Sequence, residues 1–138
     1  MVDPETLRRR LALLRDALAD LRRYRDRFDA EALRRDRDAQ HMVLHALSVA
    51  VQATIDIALH ACADAEQPMA TTHQPAFANL AAGGRLDEAF ARKVMGWTGL
   101  RNELAHQYAS IDLGHVAAAL HGELDDLDRF AAIASAWA

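Results

Sequence analysis

The amino-acid sequence predicts an all-α protein, and three observations support that prediction. Apolar residues make up 51% of the 138 positions, enough for the buried core of one ordinary domain. Alanine and leucine dominate the apolar residues and β-branched residues are few, a balance that favours helices over sheets. Glycine and proline occupy only nine positions (six Gly and three Pro). We therefore expect a single domain over residues 1–138, built as a bundle of four to five helices.

The first helix is predicted to begin at Asp3-Pro4, since an N-capping aspartate followed by proline is typical of a helix start. Its leucines alternate in spacing between four and three residues, which gives one narrow apolar stripe. The stripe consists of Leu7, Leu11, Leu14, Leu18 and Leu21. Arginines interleaved with aspartates surround it. This arrangement indicates a helix packed in a bundle or at a subunit interface rather than a basic RNA-binding helix.

A second, long helix is expected from about Ala30 to Ala65, capped by Asp29. The segment 41–63 within it is long enough to cross a bilayer, but it contains an aspartate, a glutamine and three histidines, which are costly in hydrocarbon. We predict a buried helix of a soluble protein. The polar side chains of this helix fall within about 120° of one another, so they either face solvent or line a groove. They are His41, His45, Ser48, Gln52, Asp56 and His60.

Three further helices complete the predicted bundle. A short one runs from Pro75 to Ala82 and ends at the stop signal Gly83-Gly84. The next begins near Leu86 and continues past Gly96 and Gly99, for which we expect a packing reason such as the approach of another backbone. Asp112 caps the last helix, whose inward stripe is Val116, Leu120, Leu124, Leu127, Phe130 and Ile133.

Charge and cysteine content exclude some functions and compartments. Residues 1–40 carry eleven arginines against nine acids, and the remainder carries five basic against eleven acidic residues, which sums to a net charge of −4. The chain has no general basic face, so any recognition of RNA must be local or must use a partner's charge. The single cysteine, Cys62, excludes an intrachain disulfide. Residue 1 is not followed by a positively charged n-region and an apolar h-region, so we do not expect secretion. We expect a cytoplasmic protein.

The most informative segment is RNELAHQY, from Arg101 to Tyr108. Arginine holds phosphate through paired hydrogen bonds without losing its charge, and histidine moves protons near neutral pH. Arg101 and His106 therefore suit RNA cleavage without a metal, in which the 2′-hydroxyl attacks the adjacent phosphorus. Asn102 lies four residues before His106 and can orient its imidazole or contact phosphate.

The spacing within this motif has a structural consequence. On a straight helix, Arg101 and His106 project about 140° apart, whereas Arg101 and Tyr108 project about 20° apart. One copy of the helix therefore makes an incomplete cleft. Two copies packed about a twofold axis can complete it, so we expect a homodimer with a shared site.

The stretch GLRNELAHQYASID resembles the signature of HepT-type HEPN ribonuclease toxins: Arg, four residues, His, one residue, Tyr. Gly-Leu commonly precedes that arginine and Asn follows it, as Gly99-Leu100 and Asn102 do here. The resemblance extends to the helix with Ile55-Asp56-Ile57-Ala58, the proline-containing loop and the closing helix with Asp125-Asp126-Leu127. It covers nearly the whole chain.

This resemblance implies a homodimeric, HEPN-like helical endoribonuclease, the toxin of a type II-like toxin–antitoxin pair, without a cofactor. It implies that a minimal nucleotidyltransferase antitoxin, MntA, transfers AMP to the motif tyrosine, which is Tyr108 here. AMP on that phenol would bring bulk and negative charge against Arg101. Without the resemblance, Tyr108 reads as an interface aromatic that packs and hydrogen-bonds. Asp56 is expected to approach the motif helix and to support the site by pairing with Arg101.

Two alternatives stay open at this stage. A metal enzyme could use the pairs His41/His45 or Asp56/His60, but eleven residues separate the pairs' nearest members, about 16 Å along a helix, so they cannot share one ion. A non-catalytic HEPN binding module for nucleotide, RNA or a protein partner is the second alternative, and the acidic net charge favours it.

Overall fold

The structure, a computed structural model, describes residues 3–64, 73–106, 110–122 and 124–138. Within these ranges it contains eight helices and no strand, which confirms the predicted all-α class. The helices are α1 (Pro4–Arg27), α2 (Ala30–Arg35), α3 (Arg37–Asp64), α4 (His73–Ala82), α5 (Glu88–Thr98), α6 (Leu100–His106), α7 (Leu113–His121) and α8 (Asp125–Ser135). They correspond to the five predicted helices, three of which are interrupted.

The first helix begins as predicted. The Asp3 carboxylate accepts a hydrogen bond from the backbone N–H of Glu5, and Pro4 occupies the first helical position. The five stripe leucines are all buried. They pack α1 along α3 and, on another side, against α8. The stripe is therefore a bundle contact within one chain.

The predicted single helix from Ala30 to Ala65 is wrong at Asp36, which separates α2 from α3. Asp36 has an extended backbone, and its carboxylate accepts hydrogen bonds from the N–H groups of Asp38 and Ala39. The Gln40 side chain donates to the carbonyls of Leu33 and Arg34 at the end of α2. These side chains replace the helical backbone bonds at the break, so it costs little.

The long helix α3 is the central element of the fold, and it packs against α1, α4 and α6. The segment Arg37–Ala63 is long and apolar enough to cross a membrane by composition, but 61% of its most apolar window is buried inside the fold. The prediction of a buried helix is confirmed.

The turn after α4 confirms the stop signal at Gly83-Gly84. Gly84 has φ 77°, and its N–H bonds to the carbonyl of Ala81 while the N–H of Arg85 bonds to that of Leu80. This is a Schellman motif, which requires the left-handed conformation that glycine adopts without strain. It directs the chain into α5, which Asp87 caps through the N–H of Phe90.

The helix predicted to run from Leu86 into the motif is interrupted at Gly99. The break is slight: Gly99 keeps helical backbone angles (φ −60°, ψ −23°) and donates its N–H to the Met95 carbonyl, which also accepts from the Thr98 hydroxyl. Within the described part of the chain, no neighbouring element supplies the expected packing reason for these glycines, which stays a prediction. A Cβ at Gly96 would meet no described heavy atom within 4 Å, and one at Gly99 would face only carbonyl oxygens of its own helical turn.

The last predicted helix is likewise two helices, α7 and α8. Asp112 caps α7 as predicted, through the N–H groups of Gly114 and His115. At the break, a Cβ on Gly122 would lie 2.6 Å from the carbonyl oxygen of Ala118, so this close approach requires glycine. The predicted stripe is buried as far as Phe130, and Ile133 is partly buried.

Candidate active site

The motif helix α6 is fixed on α3 by two leucines. Leu100 and Leu104 lie one helical turn apart, and both are buried in the core between these helices. Arg101 follows the first of them and is exposed. Burial of the leucines therefore holds the backbone of α6 against α3 while the arginine remains at the surface.

Arg101 is held at one end of its guanidinium. Its Nε–H donates to the side-chain oxygen of Gln52 on α3, at 3.2 Å. Among the side chains that the structure describes, no carboxylate pairs with Arg101. As far as the described residues go, the two terminal nitrogens and the positive charge are therefore left for a ligand. A planar fork of this kind matches a phosphate.

Gln52 belongs to a chain of polar contacts across three helices. Its amide nitrogen donates to Asp56 Oδ1 at 2.9 Å, and Asp56 Oδ2 pairs with Arg10 of α1 at 3.1 Å. We call Arg101, Gln52, Asp56 and Arg10 the polar relay. The predicted direct pairing of Asp56 with Arg101 is wrong, because Asp56 neutralises Arg10 and reaches Arg101 only through the Gln52 amide.

A small cavity of about 220 Å³ lies beside the exposed arginine. Its lining combines polar groups of α3 with the motif helix: Ser48, Val51, Gln52, Arg101 and Leu104. The predicted polar stripe of α3 thus lines a concave surface at Ser48 and Gln52, whereas His41 and His45 are exposed. Both readings of that stripe hold, each for a different part of the helix.

The other predicted site residues are only partly described. Asn102 is exposed next to Arg101, and the following Glu103 bonds to His115 Nδ1 at 3.2 Å, which ties α6 to α7. His106 is the last residue of α6, but its side chain lies outside the described part of the structure, as does the whole of Tyr108. The roles of these two residues stay predictions.

Two relay members had no predicted role in the site. Gln52 was recognised only as part of a polar stripe, although its spacing of four residues from Asp56 places both on one face of α3. Arg10 stands in a run of three arginines, and nothing in the sequence distinguishes it from its neighbours. The contact across α1 and α3 depends on tertiary packing.

The histidine and carboxylate pairs of the metal alternative do not converge. Within the residues described, no group of three or more His, Cys, Asp or Glu side chains is arranged to hold a metal ion. Asp56 faces Gln52 and Arg10 instead.

The fold is an all-helical domain that exposes the motif arginine on α6. Comparison with known families identifies the family to which it belongs. A family model described as "Ribonuclease HepT-like" matches residues 14–133, and the chain belongs to this family. The resemblance seen in the sequence is thereby confirmed. Comparison with curated proteins gave no match.

Several solved structures share the fold of this chain. A tri-AMPylated HEPN toxin of Shewanella oneidensis in complex with an MNT antitoxin has a TM-score of 0.84 at 21% identity, with 99% of each chain covered. A toxin–antitoxin complex with AMP-PNP gives 0.81 at 19%, covering 97% of this chain and 99% of that one. YutE of Bacillus subtilis, described as a cytosolic protein of unknown function, gives 0.84 at 12%, covering 99% and 90%.

Proposed function

We propose that this chain is the toxin of a toxin–antitoxin pair, a metal-independent endoribonuclease that a nucleotidyltransferase antitoxin neutralises by AMPylating Tyr108. Membership of a family described as ribonucleases supports the nuclease assignment. Similar structures that contain a HEPN toxin with its MNT antitoxin, one of them tri-AMPylated, support the regulatory part.

One observation carries the catalytic proposal: among the described residues, no carboxylate compensates the charge of the motif arginine. Arg101 is exposed, its only described side-chain partner is a neutral amide, and it borders a cavity. Arg10, by contrast, ends in a carboxylate, that of Asp56. An uncompensated guanidinium at a concave surface is suited to an anionic ligand.

In the proposed reaction, the 2′-oxygen of the substrate attacks the adjacent phosphorus and the bond from phosphorus to the 5′-oxygen breaks. His106 either accepts the proton of the 2′-hydroxyl or donates one to the leaving 5′-oxygen, and water exchanges the other proton, so that the products are a 2′,3′-cyclic phosphate and a 5′-hydroxyl. Arg101 stabilises the negative charge on the phosphorane. Asn102 supports the imidazole or the phosphate, and Asp56 supports Arg101 through Gln52.

We also propose that the site is shared between two copies of the chain. On a regular helix the angle of about 140° between Arg101 and His106 keeps one copy from facing both residues into the same cleft. A homodimer about a twofold axis brings the arginine of one copy towards the histidine of the other. The domain over residues 1–138 is then the unit of assembly, working in the cytoplasm without a cofactor.

The test of the nuclease compares single variants on RNA in the presence of a chelator. We expect Arg101→Ala and His106→Ala to abolish cleavage and toxicity while remaining folded. His41→Ala is the control, because His41 is exposed on α3 about 16 Å from the level of Gln52 along that helix. Toxicity that survives in His106→Ala, with no RNA cleavage by wild type, would instead support the non-catalytic binding module, which the net charge of −4 favours.

The test of AMPylation uses the fact that the chain has two tyrosines, Tyr24 and Tyr108. With the cognate nucleotidyltransferase, ATP and Mg²⁺, we expect wild type and Tyr24→Phe to acquire AMP and Tyr108→Phe to acquire none. Mass spectrometry of the intact protein measures the added AMP. Equal labelling of Tyr108→Phe would refute the assigned acceptor.

A further inference from the structure

We infer that Gln52 is the positioning residue of the motif arginine: it orients Arg101 through a neutral hydrogen bond and so leaves both the charge and the terminal nitrogens for phosphate. This inference rests on the proposed nuclease function. The bond itself, Arg101 Nε to Gln52 Oε1 at 3.2 Å, is a property of the fold.

The orientation of the Gln52 amide is imposed by the relay behind it. A carboxylate can only accept hydrogen bonds, so Asp56 requires the NH₂ group of Gln52 at its side. The amide oxygen must then point the other way, towards Arg101. Asp56 is in turn fixed by its ion pair with Arg10. The ion pair of Arg10 on α1 with Asp56 on α3 therefore determines which end of the Gln52 amide faces Arg101 on α6.

The neutrality of Gln52 is as important as its geometry. A carboxylate in direct contact with Arg101 would form a bidentate pair, occupy the terminal nitrogens and cancel the charge that phosphate needs. Placing the carboxylate one residue further away, on Arg10, keeps the orienting effect of an ionised group without this competition. A glutamine is suited to this role, because it can accept from the arginine and donate to the aspartate at the same time.

The first experiment measures the hydrogen bond without RNA. In the NMR spectrum of the full chain, we expect the Arg101 Nε–H, assigned by its loss in Arg101→Lys, to exchange slowly with solvent. Gln52→Met, which keeps the length and removes both polar groups, should abolish this protection. Gln40→Met is the matched control: Gln40 lies on α3, about 18 Å along the helix from Gln52, and bonds backbone carbonyls of α2. Unchanged protection in Gln52→Met would overturn the inference.

The second experiment separates orientation from charge in RNA cleavage. We expect Gln52→Met to lower kcat by between about tenfold and a hundredfold, the scale of a misplaced catalytic group. Gln52→Glu should keep the Nε–H protected but raise KM, because its carboxylate competes with phosphate. Gln40→Met should change neither constant. A lost Nε–H bond with an unchanged kcat, or a Gln52→Glu variant with wild-type KM, would refute the positioning role.

The two experiments also distinguish this inference from the function beneath it. A wild-type protein that cleaves no RNA, but whose Arg101 signal depends on Gln52, would refute the nuclease and retain the relay as an anion-binding device. If wild type cleaves RNA but the protection of the Arg101 Nε–H is unchanged in Gln52→Met, the proposed function stands and the positioning role of Gln52 is refuted.

Discussion

The polar relay and the aromatic end of the bundle are held together by opposite means. At the aromatic end, the Phe130 ring lies 5.9 Å from that of Phe77 and 6.0 Å from that of Trp137, and both phenylalanines are fully buried. In the relay, the side chains of Arg10 and Asp56 are 38% and 33% exposed. We expect removal of a contact at the aromatic end to lower the free energy of unfolding. Removal of a contact in the relay should instead disturb the orientation of the Arg101 guanidinium.

This difference indicates that one region of the chain contributes stability and the other contributes the orientation of a charged side chain. Buried aromatic area contributes free energy of folding but has little orientational precision to offer a charged ligand. A half-exposed network of hydrogen bonds contributes little free energy and fixes the direction of one guanidinium. Substitutions in the two regions should therefore separate stability from activity.

The largest expected effect is on stability at the aromatic end. Phe130→Ala should lower the free energy of unfolding by about 3–5 kcal/mol, because it removes the ring between Phe77 and Trp137 and leaves a cavity. Leu13→Ala on α1 is the control, since Leu13 is 54% exposed and should cost less than about 0.5 kcal/mol. Urea denaturation measures both. An equal decrease in the free energy of unfolding for the two variants would contradict the stabilising role of the aromatic end.

A smaller effect is expected from Cys62, whose thiol donates to the carbonyl of Ala76 in the same apolar region. Burial raises the pKa of the Cys62 thiol above its ordinary value of 9.0, an effect that Arg85 partly offsets. The stability it contributes is fully present below pH 9.0 and declines as pH rises towards the folded pKa, because only the unfolded thiol ionises there.

This pH dependence is measured as a difference between proteins. The stability advantage of wild type over Cys62→Ala should fall above pH 9.0, by at most about 1.4 kcal/mol per pH unit. Arginine and tyrosine ionisation is common to both proteins and cancels. If the difference in the free energy of unfolding between wild type and Cys62→Ala stayed constant from about pH 8 to about pH 10, the raised pKa of the Cys62 thiol would be contradicted.

The smallest effect on stability is expected in the relay. Asp56→Asn should change the free energy of unfolding by less than about 1 kcal/mol, because exposed ion pairs are screened by solvent. The same variant removes the carboxylate that orients Gln52, so the protection of the Arg101 Nε–H should decrease. If Asp56→Asn lowered the free energy of unfolding nearly as much as Phe130→Ala, the relay would instead be a main source of stability, contrary to this prediction.

The sequence predicted the elements of the fold better than their continuity. Apolar stripes, aspartate caps and the Gly83-Gly84 stop signal placed the helical regions because these signals are local. The breaks at Asp36 and Gly122 depend on side-chain and backbone contacts that look ordinary in the sequence. An aspartate within a charged run is as compatible with a helix surface as with a cap.

The candidate site was predictable to a similar extent. The motif singled out Arg101, because its residue types and spacing suit the proposed chemistry, and the catalytic role of Arg101 stays a prediction. The pairing of Asp56 with Arg101 was wrong because a helical stripe gives the face but not the order of contacts across helices. Gln52 lay between them on that face, and only the packing of α6 on α3 shows that it intervenes.

The neutral amide at position 52 has a genetic consequence. Every glutamine codon becomes a glutamate codon through a change of its first base, so a point mutation can place a carboxylate against the motif arginine. In the proposed toxin, that change would disarm the site while leaving the bundle folded. Cells that survive loss of the antitoxin would then carry full-length, stable alleles altered at Gln52 alongside the expected truncations and motif mutations.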